Sequence, residues 1–302
     1  MSHLPITTRR SPFTKIRDYL ELVKFSHTIF ALPFALASMM VAANGWPRVD
    51  KVLWILVAMI GARTAAMGFN RIVDRDIDAR NPRTQNREIP AGKVSIGQAS
   101  ALVVCSSALF VFAAWKLNSL AFVLSFPTLA LLFAYSFCKR FTHLSHFVLG
   151  LCLGIAPTGA WIAVRDISSL WKLDAAPIAL TFAILFWVAG FDVIYATVDS
   201  EFDRQSGLHS LVQKLGIGKA LNMAKASHAL FIVLLWSFGA LAGLKVLFPW
   251  GVALIAAFLV YEHAIVREDD LRRVNAAFFT VNGAISVFFL VVVAAEVWLV
   301  SR

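Results

Sequence analysis

The chain has 302 residues, of which 59% are hydrophobic and 15% charged, with a mean hydropathy of +0.73 and a formal net charge of +10. A composition this apolar excludes a soluble globular core and specifies a polytopic helical membrane protein. The excess base is then explained by topology and anionic lipid, so a lipid bilayer is the expected partner and nucleic acid is not.

Residues 1–24 carry Arg9, Arg10, Lys15, Arg17 and Lys24 and read as a basic, amphipathic lead. No small-residue cleavage site follows a short apolar region, which argues against a secretory signal. Apolar stretches of the roughly 20-residue length that a bilayer demands follow. They run over 25–43, 52–70, 98–115, 119–137, 146–164, 175–195, 222–243, 248–266 and 275–298. The spacing predicts an all-α fold of about nine transmembrane helices in a single bundle, one intramembrane domain over 1–302, with a central cavity opening near the cytoplasmic face. With the N-terminus inside, the inner segments hold 20 Lys and Arg and the outer ones 7. The positive-inside rule therefore puts the N-terminus and the acidic loops in the cytoplasm, and a bacterial inner membrane is the expected location. Cys105, Cys138 and Cys152 form no metal-ligand spacing and are expected to be free thiols.

The second predicted helix ends in Asn70-Arg71-Ile72-Val73-Asp74-Arg75-Asp76-Ile77-Asp78. Residues four apart share a helix face, so Asn70, Asp74 and Asp78 form an oxygen-bearing ridge about 12 Å long, while Asp76 points elsewhere. Arg63, seven residues earlier, lies near the same stripe; inside an apolar span it costs about 3 kcal/mol or more unless it meets a polar cavity or an anion. One reading is a solvated helix end, paired with Arg71, Arg75 or Arg80. The other is a site for a hard cation: carboxylates and an amide oxygen with no His or Cys alongside favour Mg²⁺, which is commonly shared with substrate phosphates. The loop that follows carries Arg83, Arg87 and Lys93, either an ordinary positive-inside loop or a phosphate clamp.

Tyr135 and Lys139 sit one turn apart at the end of the fourth span, suited either to interface anchoring or to a cavity wall. Lys24 and His27 at the first span share that ambiguity. On the sixth span Asp192, Tyr195, Asp199 and Asp203 follow one face into the loop, and Glu201 faces away. Asp74 and Asp199 are 125 positions apart, as are Asp78 and Asp203, which reads either as a parallel duplication or as an accident of spacing. Near the C-terminus, Glu262 and His263 with Asn275 and Asn282 on one stripe read as interhelical hydrogen-bond glue. His143, His146, His209 and His228 show no convergent metal spacing.

Together these residues resemble the UbiA family of intramembrane aromatic prenyltransferases, whose hallmark is Asn-xxx-Asp-xxx-Asp in the first half and a second Asp-rich motif in the latter half. Asn70, Asp74 and Asp78 match the first, and Asp192, Asp199 and Asp203 the second. Tyr135 and Lys139 match a Tyr-xxx-Lys element, and Arg63 and Arg87 the diphosphate-side arginines. The stretches Gly68-Phe69-Asn70-Arg71, Asn81-Pro82-Arg83-Thr84 and Gly207-Leu208-His209-Ser210 are most similar to the 4-hydroxybenzoate polyprenyltransferase group. They are also similar to its relative that prenylates a dihydroxynaphthoate in the futalosine route to menaquinone. Where the family often has Arg-Pro, this chain has Arg87-Glu88-Ile89-Pro90, which leaves the acceptor open.

The resemblance implies Mg²⁺-dependent transfer of a polyprenyl group from polyprenyl diphosphate to a ring carbon of an aromatic acceptor in ubiquinone or menaquinone biosynthesis. It implies a metal held by Asn70, Asp74, Asp78, Asp199 and Asp203. Catalysis would fall to Asp74, Asp78, Asp192, Asp199 and Lys139. Substrate would meet Arg63, Asn70, Arg83, Arg87, Tyr135, Lys139, Tyr195 and Lys24. The alternatives are transfer to haem, chlorophyllide or a sugar phosphate, or a non-enzymatic transporter with buried acids and half-repeats.

Overall fold

A computed structural model describes residues 18–19, 21–23 and 30–300, so most of the basic lead, with Lys24 and His27, lies outside the described residues. What it describes is helical, with no strand. In chain order the helices are α1 (Leu32–Ala43), α2 (Val49–Val73), α3 (Arg75–Arg80), α4 (Ile96–Leu117), α5 (Ser119–Cys138) and α6 (Ser145–Val164). They continue as α7 (Ala175–Ala196), α8 (Ser200–Gln205), α9 (Leu211–Leu215), α10 (Ile217–Ala242), α11 (Phe248–Ile265) and α12 (Val274–Leu299). Among the described residues eight of these are long and apolar enough to cross a membrane, and the chain is an integral membrane protein. Helix α1 shows 12 residues of the first predicted span, whose start lies among the undescribed ones.

Polar side chains punctuate the apolar runs. Ser95 and Gln98 form a reciprocal capping box at the start of α4, and Asn118 accepts the Ala121 N–H to open α5. Gly243, in the left-handed region at φ 72°, closes α10. A less expected cap lies inside the bundle. Glu296 of α12 is fully buried and accepts the backbone N–H groups of Lys245, Val246, Leu247 and Phe248, the segment that leads into α11 and its first residue. An anion there meets both the unpaired donors and the positive end of the helix dipole. Glu296→Ala strands four donors at once, so it should cost about 3 kcal/mol and visibly lower the unfolding midpoint in detergent; an unchanged midpoint would show the cap to be dispensable.

Helices α6 and α7 touch through glycine. A Cβ on Gly150 would fall on the Leu185 carbonyl and one on Gly154 on the Thr181 carbonyl, and the Thr181 hydroxyl donates to Gly154 O at 2.9 Å. This is the small-xxx-small contact by which membrane helices approach backbone to backbone.

The predicted repeat is visible in the backbone. Helix α2 breaks at Asp74 (φ −92°, ψ 4°), and the α7 segment breaks 125 positions later at Asp199 (φ −99°, ψ 4°). Each break is followed by a six-residue helix, α3 or α8, that carries the next buried aspartate. The last residues of α4 and α10, Leu117 and Ala242, keep the same separation.

The interhelical glue predicted at the C-terminal end is present in part. Asn282 donates to Glu262 Oε1 at 2.7 Å and to Ala277 O at 3.0 Å, and accepts from Trp187 Nε1 at 2.7 Å. His263 meets His228 at 3.0 Å. Asn275 takes no part and is exposed. The reason is a π-helical turn at Ala277–Val281, which inserts a residue and rotates Asn275 off the stripe.

Candidate active site

Arg63, Asn70, Asp74, Asp78, Arg83, Arg87, Tyr135, Lys139, Asp192, Tyr195, Asp199 and Asp203 all line one cavity of about 500 Å³ between the two halves, and Lys24 lies outside the described residues. The breaks at Asp74 and Asp199 do not disrupt the ridges: Asp74 N still donates to Asn70 O at 2.9 Å and Asp78 N to Asp74 O at 2.8 Å. Beyond α3 the loop folds back. Thr84 Oγ1 donates to Asp78 O at 3.0 Å, and Arg83 N donates to Asn81 Oδ1 at 2.9 Å, which returns Arg83 and Arg87 to the cavity. Lys93 does not return and lines a separate surface groove with Arg75 and Asp76.

The acidic rows are neutralised from several directions. Arg87 pairs with Asp78 at 2.6 Å, and buried Arg71 lies 3.8 Å from the same carboxylate. Arg140 reaches Asp74 at 3.3 Å, and Asn70 Nδ2 donates to Asp74 at 2.9 Å. Arg83 crosses between the halves: Nε donates to Asp199 Oδ1 at 2.8 Å, Nη2 donates to Asp199 Oδ2, and Nη1 donates to the Tyr195 hydroxyl at 3.1 Å. Lys139 lies 3.6 Å from Asp203, and His146 Nδ1 lies 2.6 Å from Asp192 Oδ2. Asp76 and Glu201 are exposed and pair with Arg75 and Arg204, away from the cavity, as the helical period predicts. Burial pushes the Asp74 carboxyl above its ordinary range, opposed by the Arg140 hydrogen bond and reinforced by Asp78. Burial would lower the Arg83 guanidinium, but its hydrogen bond and charge contact with Asp199 outweigh this and raise it.

Arg71, Arg140 and His146 pair with these acids although none of them is predicted as a site residue. Arg140 and Arg71 belong to the inner-loop base that topology alone explains, and His146 lacks metal spacing. Two adjacent cations, Lys139 and Arg140, at one helix end were the available signal.

Among the described residues no three His, Cys, Asp or Glu side chains gather into a ready-made metal cage. The donor set nonetheless fits a hard dication. Carboxylate oxygens line the cavity from both halves, and Oδ2 of Asp78 and of Asp203, in residues only 5% and 2% exposed, makes no hydrogen bond.

A second cavity, about 220 Å³ and almost wholly apolar, adjoins the first. The two share Arg63, Met67, Asn70, Tyr135, Leu149 and Leu153 at their junction. Its α2 wall is kept open by Ala62 and Ala66. Their counterparts 125 positions on are Trp187 and Phe191, both buried, which fill the second half with Phe34 and Phe231 in ring contact. A polar chamber joined to an apolar one suits a molecule with an anionic head and a hydrocarbon tail.

The model of the UbiA prenyltransferase family matches residues 31–292. The 4-hydroxybenzoate octaprenyltransferase of Vibrio atlanticus is 28% identical, with 89% of this chain and 94% of that one covered. The enzyme of the same description from Serratia proteamaculans is also 28% identical, over 94% of this chain and 97% of that one. A UbiA homologue from Aeropyrum pernix K1, solved in its apo form, superposes with a TM-score of 0.81 at 33% identity, covering 91% of this chain and 98% of that one. A UbiA homologue from Archaeoglobus fulgidus, solved with GPP and Mg²⁺ bound, shares the fold with a TM-score of 0.73 at 20% identity, covering 93% of this chain and 99% of that one.

Proposed function

The chain belongs to the UbiA prenyltransferase family and is a membrane-embedded prenyltransferase, and on that premise we propose that it transfers a polyprenyl group from a polyprenyl diphosphate to a ring carbon of an aromatic acid in quinone biosynthesis. The acceptor class is 4-hydroxybenzoate or a dihydroxynaphthoate, in keeping with the relatives that act on 4-hydroxybenzoate. The observation that carries this reading is the continuity of the acid-and-base-lined chamber with the apolar one, a match to diphosphate head and isoprenoid tail. The Lys and Arg distribution supports a bacterial cytoplasmic membrane with the site facing the cytoplasm.

In this reading Asn70, Asp74, Asp78, Asp199 and Asp203 hold Mg²⁺, which when bound supplies Lewis-acid neutralisation of the departing diphosphate. Arg83 and Arg87, fixed beside the two acidic rows, bind phosphate oxygens through their planar forks, and Lys139 and Arg140 add point contacts. These donors act most strongly where charge grows, as the C1–O bond breaks and its electron pair passes to the diphosphate. The apolar walls hold the prenyl chain and keep water from the allylic cation. Tyr195, held by Arg83, and Tyr135 wall the reacting centre, and Arg63 at the junction of the chambers supplies a cation for an acceptor carboxylate or a phosphate. Asp192 faces the chamber as the base for the acceptor proton.

The test is incubation of the purified protein with Mg²⁺, farnesyl diphosphate and a panel of aromatic acids, with mass spectrometry of the products. One acid should gain a farnesyl group, and chelation by EDTA should abolish the product until Mg²⁺ is restored. Absence of any alkylated acid, alongside robust solute uptake into liposomes, would replace the transferase by a transporter.

A further inference from the structure

His146 is wholly buried in the first turn of α6, and its Nδ1 lies 2.6 Å from Asp192 Oδ2 on α7. Its Nε2 is buried as well and meets no hydrogen-bond partner. These surroundings assign the tautomer: the proton resides on Nδ1, where a carboxylate accepts it, and Nε2 keeps a lone pair. A buried imidazole with half its polar capacity unused is costly, and a leucine would occupy that volume more cheaply. The compensation lies in Asp192, whose side chain is 19% exposed and borders the polar chamber. With Oδ2 held by His146, Oδ1 is the oxygen left for the chamber.

We infer that His146 is a positioning residue for the acceptor half of the reaction, its Nδ1–H pinning the Asp192 carboxylate so that Oδ1 receives the proton the acceptor gives up. The inference rests on the reading of the chain as an aromatic prenyltransferase. The prenyl C1–O bond breaks with its electron pair leaving on diphosphate, and an acceptor ring carbon bonds to C1. The C–H pair of that carbon returns to the ring while the proton passes to Oδ1. His146 keeps its own proton throughout, and Oδ2 goes on accepting it as the carbonyl oxygen of the neutral acid. Rigid placement matters because a base displaced by an ångström loses much of its effect.

The experiment compares full-length wild type, His146→Leu, His146→Asn, Asp192→Asn and the Leu/Asn double variant, with Mg²⁺, farnesyl diphosphate and the aromatic acid that the wild type alkylates. His146→Leu should lower kcat by roughly 10²-fold and leave the KM for farnesyl diphosphate within about twofold. His146→Asn, whose amide can place a donor near the Nδ1 position, should recover at least about tenfold of that loss. The double variant should be no slower than Asp192→Asn alone, because the two residues act through one contact. If His146→Leu does not yield monodisperse protein, His146→Gln, which keeps a donor but misplaces it, carries the same comparison. Wild-type kcat in His146→Leu, additive losses in the double variant, or equal loss in Leu and Asn variants with a raised farnesyl diphosphate KM would each overturn the role. A wild type that alkylates no aromatic acid defeats the functional reading itself, whereas an active wild type beside an unimpaired His146→Leu removes only the positioning role.

Discussion

Asp199→Ala should lower turnover by roughly 10³-fold in a protein that still inserts and folds. Asp199 stands at the break after α7, takes both arms of the Arg83 guanidinium and is reached by Asn81 Nδ2 at 3.5 Å. Its removal takes a carboxylate, a metal ligand in the proposed reading, from one acidic row and releases the arginine that ties the two halves together. The loss should fall mainly on kcat, since the interactions removed strengthen as the diphosphate leaves. Asp74→Ala, at the equivalent break, should behave alike. Asp76→Ala and Glu201→Ala are the matched controls, because they belong to the same acidic runs but are exposed and point away. Initial rates with farnesyl diphosphate, alongside circular dichroism and gel filtration, make the comparison. Near wild-type rates in Asp199→Ala would take that residue out of the site, and equal losses in Asp76→Ala would reduce the result to bulk charge.

Gly150→Val should destabilise the bundle by about 3 kcal/mol or more, enough to yield aggregated or poorly inserted protein. The added Cβ would meet the carbonyl of Leu185, a backbone group that cannot swing aside as a side chain would. Relief requires α6 and α7 to separate, and with them His146 and Asp192, so surviving protein should also be slow. Gly159→Ala on the same helix is the counter-case, since nothing lies within 4 Å of a Cβ there. It should be neutral or stabilising by about 0.5–1 kcal/mol, the helix preference of alanine over glycine. Thermal midpoints in detergent decide the matter, and a Gly150→Val midpoint equal to that of the wild type would show that the helices pack differently.

The acidic ridges were legible because a helical period and a 125-residue offset are properties of sequence alone. They separate the cavity-lining Asp74, Asp78, Asp199 and Asp203 from the exposed Asp76 and Glu201. The breaks at Asp74 and Asp199 were not legible, since no proline or glycine marks them. Helix α10 begins at Ile217 and not with the apolar run at 222, because exposed Lys219 is accommodated on a helix that extends past its hydrophobic stretch. Asn275 was misplaced for a different reason: a π-turn changes the period, and no residue type announces one. The roles of His146 and Glu296 are not legible because each draws its meaning from a partner about 50 residues away, the α7 carboxylate for one and the entry to α11 for the other.

Two acidic rows so alike would admit a pyrophosphate in either of two senses, swapped by the internal pseudosymmetry. Charge alone cannot choose between them. Trp187 and Phe191 stand where the hydrocarbon would have to go in one sense, while Ala62 and Ala66 leave room in the other. For the proposed reaction, steric bulk on the second of two similar helices would thus set which way round a prenyl diphosphate docks, and with it which flank of the allylic carbon meets the acceptor.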